Sequence, residues 1–400
     1  MSFFLKLISV SEAKAKIREI AGETYPQKVT LSEAYDRVLA SDVLSDADVP
    51  GFSRSIVDGY AVVSKDTTGA GESIPTMLEY LGRVEMGTPA QIKLTPGTCA
   101  YVPTGGNVPD GADAVAMVEY SEALGDEVLI FRPMSNGENI VFADEDFAKG
   151  SPVMKKGTTL KPQECGVLAS LGKEEVEVFK KPVIGIISTG NELVPVSKEP
   201  GFGKVRDVNT YLCSGFVKRC GCIPKIYGVI PDERDELREA IRLATEECDA
   251  VLISGGSSKD ERDNTSSIIK ELGEVLIHGI AISPGKPTII GTATGKPVIG
   301  LPGHPASAYI VLYVLVSELL YKMQMKAVTN NTITTTLLEN IPSAQGREDY
   351  VRVKLSDDGA KPLYAKSGLL NTLIKSDGMV KIPSGSEGLE AGSLVEVILW

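Results

Sequence analysis

Apolar positions change their spacing along this chain, and each change marks a segment. The stretch SEAKAKIREIA has helical spacing, with Ser9 and Glu12 placed as a capping box, so a helix is predicted from just after Ser9. From Asp46 to about Asn139 the texture turns to short β-rich runs (MLEYLGRVEMG, TCAYVPTGG, DAVAMVEY, EVLIFRPM). Gly, Pro and Asp clusters separate them, which predicts a mainly β module. Helical spacing returns between Phe147 and Gly172, where LKPQECGVLASLG shows an apolar face and a glycine stop. The first and third of these segments are expected to pack together, with the β module inserted between them.

Beyond Lys181 strands and helices alternate. VIGIIS is a buried strand, followed by the turn TGNEL and a helix from about Asn209 to Arg219. The strand KIYGVI, the helix DERDELREAIRLATEE, the strand AVLISGG and the helix NTSSIIKELG come next. Strands at KPTIIG and PVIGLPG lead into an apolar helix from about Pro305 to Tyr321. This alternation predicts a mostly parallel sheet with crossover helices, and ligands of such sheets bind beyond the carboxyl ends of the strands. From about Val328 the runs ITTTLLENI, DYVRVKLS and GSLVEVILW read as a small β-barrel.

Composition narrows the chemistry. A chain of 400 residues exceeds one ordinary core, so several domains are expected. A net charge of −12 argues against a nucleic-acid or membrane-surface partner; an anionic ligand would depend on local N–H groups and a few placed lysines. The opening MSFFLKLISV lacks a basic leader region and a cleavage site, and YIVLYVLVSELLY, about 13 residues, is too short to span a bilayer. A cytoplasmic location is therefore expected. The six cysteines are scattered; Cys220 and Cys222 form a C-x-C without a matching pair, so buried reduced thiols are predicted. With His278 and His304 as the only histidines, neither a His-rich zinc site nor a Ser–His–Asp triad fits. Carboxylates, lysines, hydroxyls and backbone remain.

Three strand-end turns are rich in Gly and polar groups: Ser188–Glu192, Ser254–Ser258 running into Lys259–Asp263, and Gly300–Pro305 before the apolar helix. Glycines let backbone approach an anion, but none of these turns is a Walker A or a dinucleotide fingerprint, and each alone is also compatible with plain structure. The run Ser283-Pro284-Gly285-Lys286-Pro287 puts a lysine on a rigid turn, either for an oxyanion or simply solvated. Asp58 stands beside Gly59, as an acid or as an ordinary hairpin signal. Asp58, Glu192, Asp232 and Asp263 together have the oxygen chemistry Mg²⁺ takes.

In this order the motifs resemble the MoeA family, the molybdopterin molybdenumtransferases, to which the E domain of gephyrin is related. The resemblance rests on RSIVDGYAV (54–62), PTGGNVPDGADAV (103–115), GENI (137–140), STGNEL (188–193), SGGSS (254–258), SPGKP (283–287) and GLPGHPASA (300–308). GREDYVRV (346–353) and SDGMVKIP (376–383) add to it. It implies four parts. These are a helical linker domain (1–45 with 145–178), an inserted β domain (46–144), a three-layer α/β molybdopterin-binding domain with a mostly parallel sheet (179–326), and a C-terminal β-barrel (327–400). It further implies an elongated homodimer whose cleft joins the β domain of one subunit to the α/β domain of the other. The implied reaction inserts molybdate or tungstate into adenylylated molybdopterin with Mg²⁺-dependent release of AMP, the pterin being supplied by a molybdopterin adenylyltransferase.

Residue by residue, the resemblance puts functional acids at Asp58, Asp146, Glu192, Asp232 and Asp263, with Thr104, Lys286, Pro302 and Pro305 matching further motif positions. Lys286 and the backbone at 303–306, Gly303 and Ser307 nearby, would hold phosphate or oxyanion charge. Ser258 would donate to molybdate. Asp232, Asp263 and Glu192 are the metal candidates, and Asp58 would reach across the dimer. The chain departs from the family at VFADEDF, which carries no arginine, at Ser257 and Asp260 in the second turn, and at His304. Two rival readings are an adenylyltransferase, whose glycine turn reads GGTG rather than GGSS, and a non-catalytic pterin carrier or scaffold.

Overall fold

The capping box forms: the Glu12 N–H donates to Ser9 Oγ at 3.1 Å and the Ser9 N–H to Glu12 Oε2 at 2.9 Å, starting the helix Val10–Ile20. The computed structural model describes residues 7–22, 24–255, 264–328, 331–364 and 368–400. Two compact units emerge, one of Met1–Lys28, Asp36–Val38 and Glu177–Trp400, the other of Val29–Tyr35 and Leu39–Val176.

At the centre of the first unit lies a six-stranded sheet in the order Ile223–Ile230, Val183–Thr189, Ala250–Ser254, Lys296–Leu301, Ile289–Ala293, Gly273–His278. The first four strands run parallel, but the last two pairings are antiparallel because Ile289–Ala293 runs the other way, so the sheet is mixed and not mostly parallel as expected. The cause is local. Thr294 (φ 47°) and Gly295 (φ 77°) make a two-residue hairpin turn that reverses the chain between Ile289–Ala293 and Lys296–Leu301. One face of the sheet packs Ile184, Ile186, Leu252 and Ile299 against Val217 and Leu312; the other packs Ile187, Val251 and Ile253 against Leu237, Ile241 and Ile268. Both faces are thus covered by helices, as near-continuous apolar strands require.

Pro305–Met323 is helical throughout, with a π-helical segment at Leu312–Val316. The apolar run alone is too short to span a bilayer, but the helix reaches 19 residues because Pro305–Ala308 and Lys322–Met323 extend it; 83% of its apolar window is buried, which makes it a core helix. The helix Val10–Ile20 rests on it through Val10, Ala13 and Ile17, and the buried Glu318 accepts from Lys14 at 2.9 Å and Arg18 at 2.8 Å. The C-terminal strands run in the order Ile282–Ser283, Glu348–Ser356, Gly378–Ile382, Leu394–Leu399, Thr332–Thr336, with Gly359–Pro362 also paired to Glu348–Ser356. A bridge from Leu337 to Ala360 brings the two ends together around Val353, Val380 and Val397.

In the second unit the six strands run Ala114–Met117, Gly59–Val62, Thr98–Val102, Thr76–Arg83, Glu127–Ile130, Ser121–Leu124, with apolar clusters on both faces. Gly59 is irreplaceable there, because a Cβ would stand 2.1 Å from the Ala116 carbonyl. Short strands Val43–Leu44 and Pro152–Met154 pair, and the helix Pro162–Ser170 follows. All six cysteines are free and five are buried; burial pushes the Cys99 and Cys213 thiols up to about 12 and Cys220 to about 11.

Candidate active site

Three parallel strands of the first unit end level, with Ser188 opposite Ser254 and Ser254 opposite Leu301. Beyond these ends opens a cavity of about 890 Å³, a size suited to a substrate-like molecule. Thr189, Gly255 and Pro302–Gly303 form its floor; Ser307, in the first turn of the core helix, and Gly368 with Leu370 complete it. Gly255 has φ 106°, and a Cβ there would lie 1.9 Å from the Thr189 carbonyl, so only glycine lets the two strand ends approach. Gly303, Pro302, Pro305 and Ser307 are thus brought together as the sequence predicts.

Behind the floor lies a buried polar network that sequence reading missed. Asp207 is 5% exposed; its Oδ1 accepts from Ser188 Oγ at 3.0 Å and from the Thr210 N–H at 3.2 Å, capping the helix Asn209–Arg219. The Asn209 amide donates to Ser254 Oγ at 2.6 Å and to the Gly303 carbonyl at 2.8 Å, tying two of the strand-end turns together. Two atoms in this buried layer have no hydrogen-bond partner: Asn209 Oδ1 and Thr189 Oγ1. Lys204 and Arg206 also line the cavity; Lys204 Nζ donates to the Asn191 carbonyl and Arg206 pairs with Glu199 at 2.6 Å. The signal for Asp207 was present in Asp207-Val208-Asn209-Thr210, an acid just ahead of a helix; Lys204 and Arg206 gave none.

Glu192 lines the cavity and its carboxylate lies over Gly190, where a Cβ would be 2.7 Å from Oε2. Asp232 joins the same neighbourhood: its N–H donates to Asn191 Oδ1 at 3.2 Å, and Asn264 Nδ2 reaches its carboxylate at 3.3 Å. Ser258 and Asp263 lie outside the described residues, as do Ser257 and Asp260 of the same turn. Among the described residues no three His, Cys, Asp or Glu side chains converge as a metal cage. Glu192 and Asp232 carry carboxylates, the kind of oxygen ligand that Mg²⁺ takes.

The SPGKP turn leaves Lys286 exposed, next to Pro287 on the cavity wall. Its base is held by the C-terminal strands, since Ile282–Ser283 pairs in parallel with Glu348–Asp349, inside GREDYVRV. Gly285 has φ 126° and sits against Val311 of the core helix. His304 lies at the start of that helix, with Gly368 beside its ring.

In the second unit Asp58 and Thr104 meet: Asp58 Oδ1 accepts from the Thr104 N–H at 2.7 Å and from Thr104 Oγ1 at 3.1 Å. These bonds, the backbone one foremost, hold the exposed Asp58 carboxyl below the ordinary aspartate value, with Arg83 adding to the effect. Asp146 is exposed on the loop whose N–H donates to the Val49 carbonyl at 3.0 Å.

Three family models match the chain: "MoeA N-terminal region (domain I and II)" over residues 8–172, "Probable molybdopterin binding domain" over 185–322, and "MoeA C-terminal region (domain IV)" over 334–400. The molybdopterin molybdenumtransferase of Bacillus subtilis is 30% identical, across 98% of this chain and 94% of its own. That of Staphylococcus aureus (strain Mu50) is 31% identical, across 98% and 95%. A crystal structure of a molybdopterin biosynthesis MoeA protein from Pyrococcus horikoshii OT3 matches with a TM-score of 0.88 at 34% identity, across 99% of this chain and 100% of its own.

Proposed function

Because the chain belongs to the MoeA family, we propose that it serves molybdenum cofactor biosynthesis by inserting molybdate or tungstate into adenylylated molybdopterin, with release of AMP. The observation that carries this reading is the cavity at the carboxyl ends of the parallel strands. It is large enough for a pterin nucleotide, apolar over much of its wall, and provided with a few convergent polar groups at its floor.

In this reading the pterin enters the cavity between Thr189, Ser254–Gly255 and Pro302–Ser307. Lys286, Lys204 and Arg206 offset the phosphate charge that the acidic chain would otherwise repel. Ser258 donates to the oxoanion, which is a substrate here. Glu192 and Asp232, with Asp263, would hold Mg²⁺, whose chemistry is neutralisation of charge on the phosphoanhydride as it breaks. Asp58, kept ionised by Thr104, and Asp146 act on the substrate as acceptors. The protein works as a cytoplasmic homodimer and draws its pterin from an adenylyltransferase partner. The four-part division drawn from the motifs belongs to the same proposal.

The test is direct. Purified protein is incubated with adenylylated molybdopterin, Mg²⁺ and either molybdate or tungstate, following AMP release and metal retained on the pterin. Oxoanion-dependent AMP release, lost in Glu192→Ala and in Asp263→Ala, is expected, and the oxoanion used at low concentration names the metal. Tight pterin binding without AMP release would replace the insertase with a carrier.

A further inference from the structure

The start of the helix Asn209–Arg219 fastens all three strand-end turns to one point. Asp207 holds the first, since its Oδ1 accepts from Ser188 Oγ at 3.0 Å and from the Thr210 N–H at 3.2 Å. Asn209 holds the other two with a single amide group, donating to Ser254 Oγ at 2.6 Å and to the Gly303 carbonyl at 2.8 Å. A carbonyl only accepts, so the nitrogen is the end of the amide that faces Gly303. Asn209 and Ser254 are buried, whereas Gly303 is exposed and lines the cavity. Nothing packs on Gly303 itself, because a Cβ there would meet no atom within 4 Å. The bond from Asn209, not packing around this residue, therefore sets how its peptide is turned.

In a trans peptide the N–H points opposite to the carbonyl, and the Gly303–His304 peptide is trans. With the Gly303 carbonyl turned to Asn209, the His304 N–H is turned away from the buried layer. It stands where the core helix begins, beside the first-turn N–H groups of Ala306 and Ser307 and the positive end of the helix dipole. We propose that Asn209 is a positioning residue: it clamps the Ser254 and Gly303 turns together and so keeps the N–H side of the Gly303–His304 peptide toward the phosphate or oxoanion of the ligand. The inference rests on the functional reading above. A chain of net charge −12 must hold an anion with local donors, and such donors serve only while they are aimed. Without the clamp the Gly303 peptide, free of steric restraint, can turn over and present its carbonyl oxygen to the anion instead.

Asn209→Ala removes both bonds. Equilibrium binding of AMP and of 6-hydroxymethylpterin to the full chain separates the anion from the heterocycle, and Trp400 fluorescence on heating shows whether the variant is folded. At a temperature where it is folded, AMP binding should weaken by about tenfold while pterin binding stays within about twofold of the parent. Ser254→Ala removes one bond of the two and should weaken AMP binding by about threefold. In the double variant the two losses should not multiply, because the same clamp is already gone. Unchanged AMP binding in Asn209→Ala, or pterin affinity falling along with AMP affinity, would make Asn209 merely structural and overturn the inference. Losses that multiply would overturn it as well. If Asn209→Ala does not fold, Ser254→Ala decides alone, and AMP binding equal to the parent's refutes the clamp. A parent that binds the pterin but not AMP has no anion hold to position, and the inference falls. A parent that binds neither and releases no AMP from the adenylylated pterin brings down the functional reading itself.

Discussion

Gly285 is where the lysine turn leans on the core helix, and its replacement by alanine separates two physical effects. The residue has φ 126°, a region that L-residues avoid, and a Cβ there would lie 2.6 Å from Val311 Cγ2 and 3.3 Å from Ile282 Cγ2. The turn has little freedom to yield. The Gly285 carbonyl accepts from Thr288 Oγ1 at 2.7 Å, the Lys286 carbonyl accepts from the Ile280 N–H at 3.0 Å, and Val311 is fully buried. The backbone conformation costs about 1–2 kcal/mol for alanine, and the overlap with Val311 about 1–3 kcal/mol more. Val311→Ala alone leaves a small cavity worth about 2 kcal/mol. In the double variant the alanine methyl occupies that space. The combined loss should therefore fall short of the sum by at least 1 kcal/mol or so, the backbone part persisting. Trp400, the sole tryptophan, packs 5.1 Å from both Tyr309 and Tyr313 of the same helix, so its fluorescence during urea unfolding reports on this unit. Losses that add to within about 0.5 kcal/mol would mean that the overlap does not occur, and the account of the turn would fail.

Other consequences follow from single contacts. Burial works against the charge of Glu318, but Lys14 and Arg18 hold its carboxyl below the ordinary glutamate value. That stabilisation is present above the unfolded-state pKa, about 4.3, and is lost as pH falls through the lower folded value. Glu318→Gln should cost about 2 kcal/mol at neutral pH and speed amide exchange in residues 10–20; unchanged exchange there would refute the anchoring role. For Asp58, Thr104→Val removes the hydroxyl and spares the N–H, so its carboxyl midpoint, followed by NMR, should rise only part of the way to the ordinary value. As the folded value is the lower one, its contribution too is lost on the acid side, below about pH 4. A full return to the ordinary midpoint would show that the backbone bond contributes nothing. Maleimide at neutral pH should label the partly exposed Cys165 first and reach the other five thiols only on unfolding; early labelling of Cys220 or Cys222 would contradict their burial.

What could be read in advance follows from what each signal reports. The Ser9 box, the helix at Asn209–Arg219 and the strand-end turns are local patterns; the structure forms the box and the helix, and the described parts of the turns line the cavity. Strand direction is not local. KPTIIG and PVIGLPG look like any buried strands, and only the Thr294–Gly295 turn between them, with two positive φ angles, shows that they are antiparallel. Likewise Val10, Ala13 and Ile17 show that the first helix buries a face without naming the surface that receives it, which is the core helix some 300 residues later. The cavity floor was hidden for a further reason. Ser188, the Asp207–Thr210 run and Ser254 belong to separate segments until the sheet aligns them, and a threonine hydroxyl in a sequence does not announce whether it will find a partner.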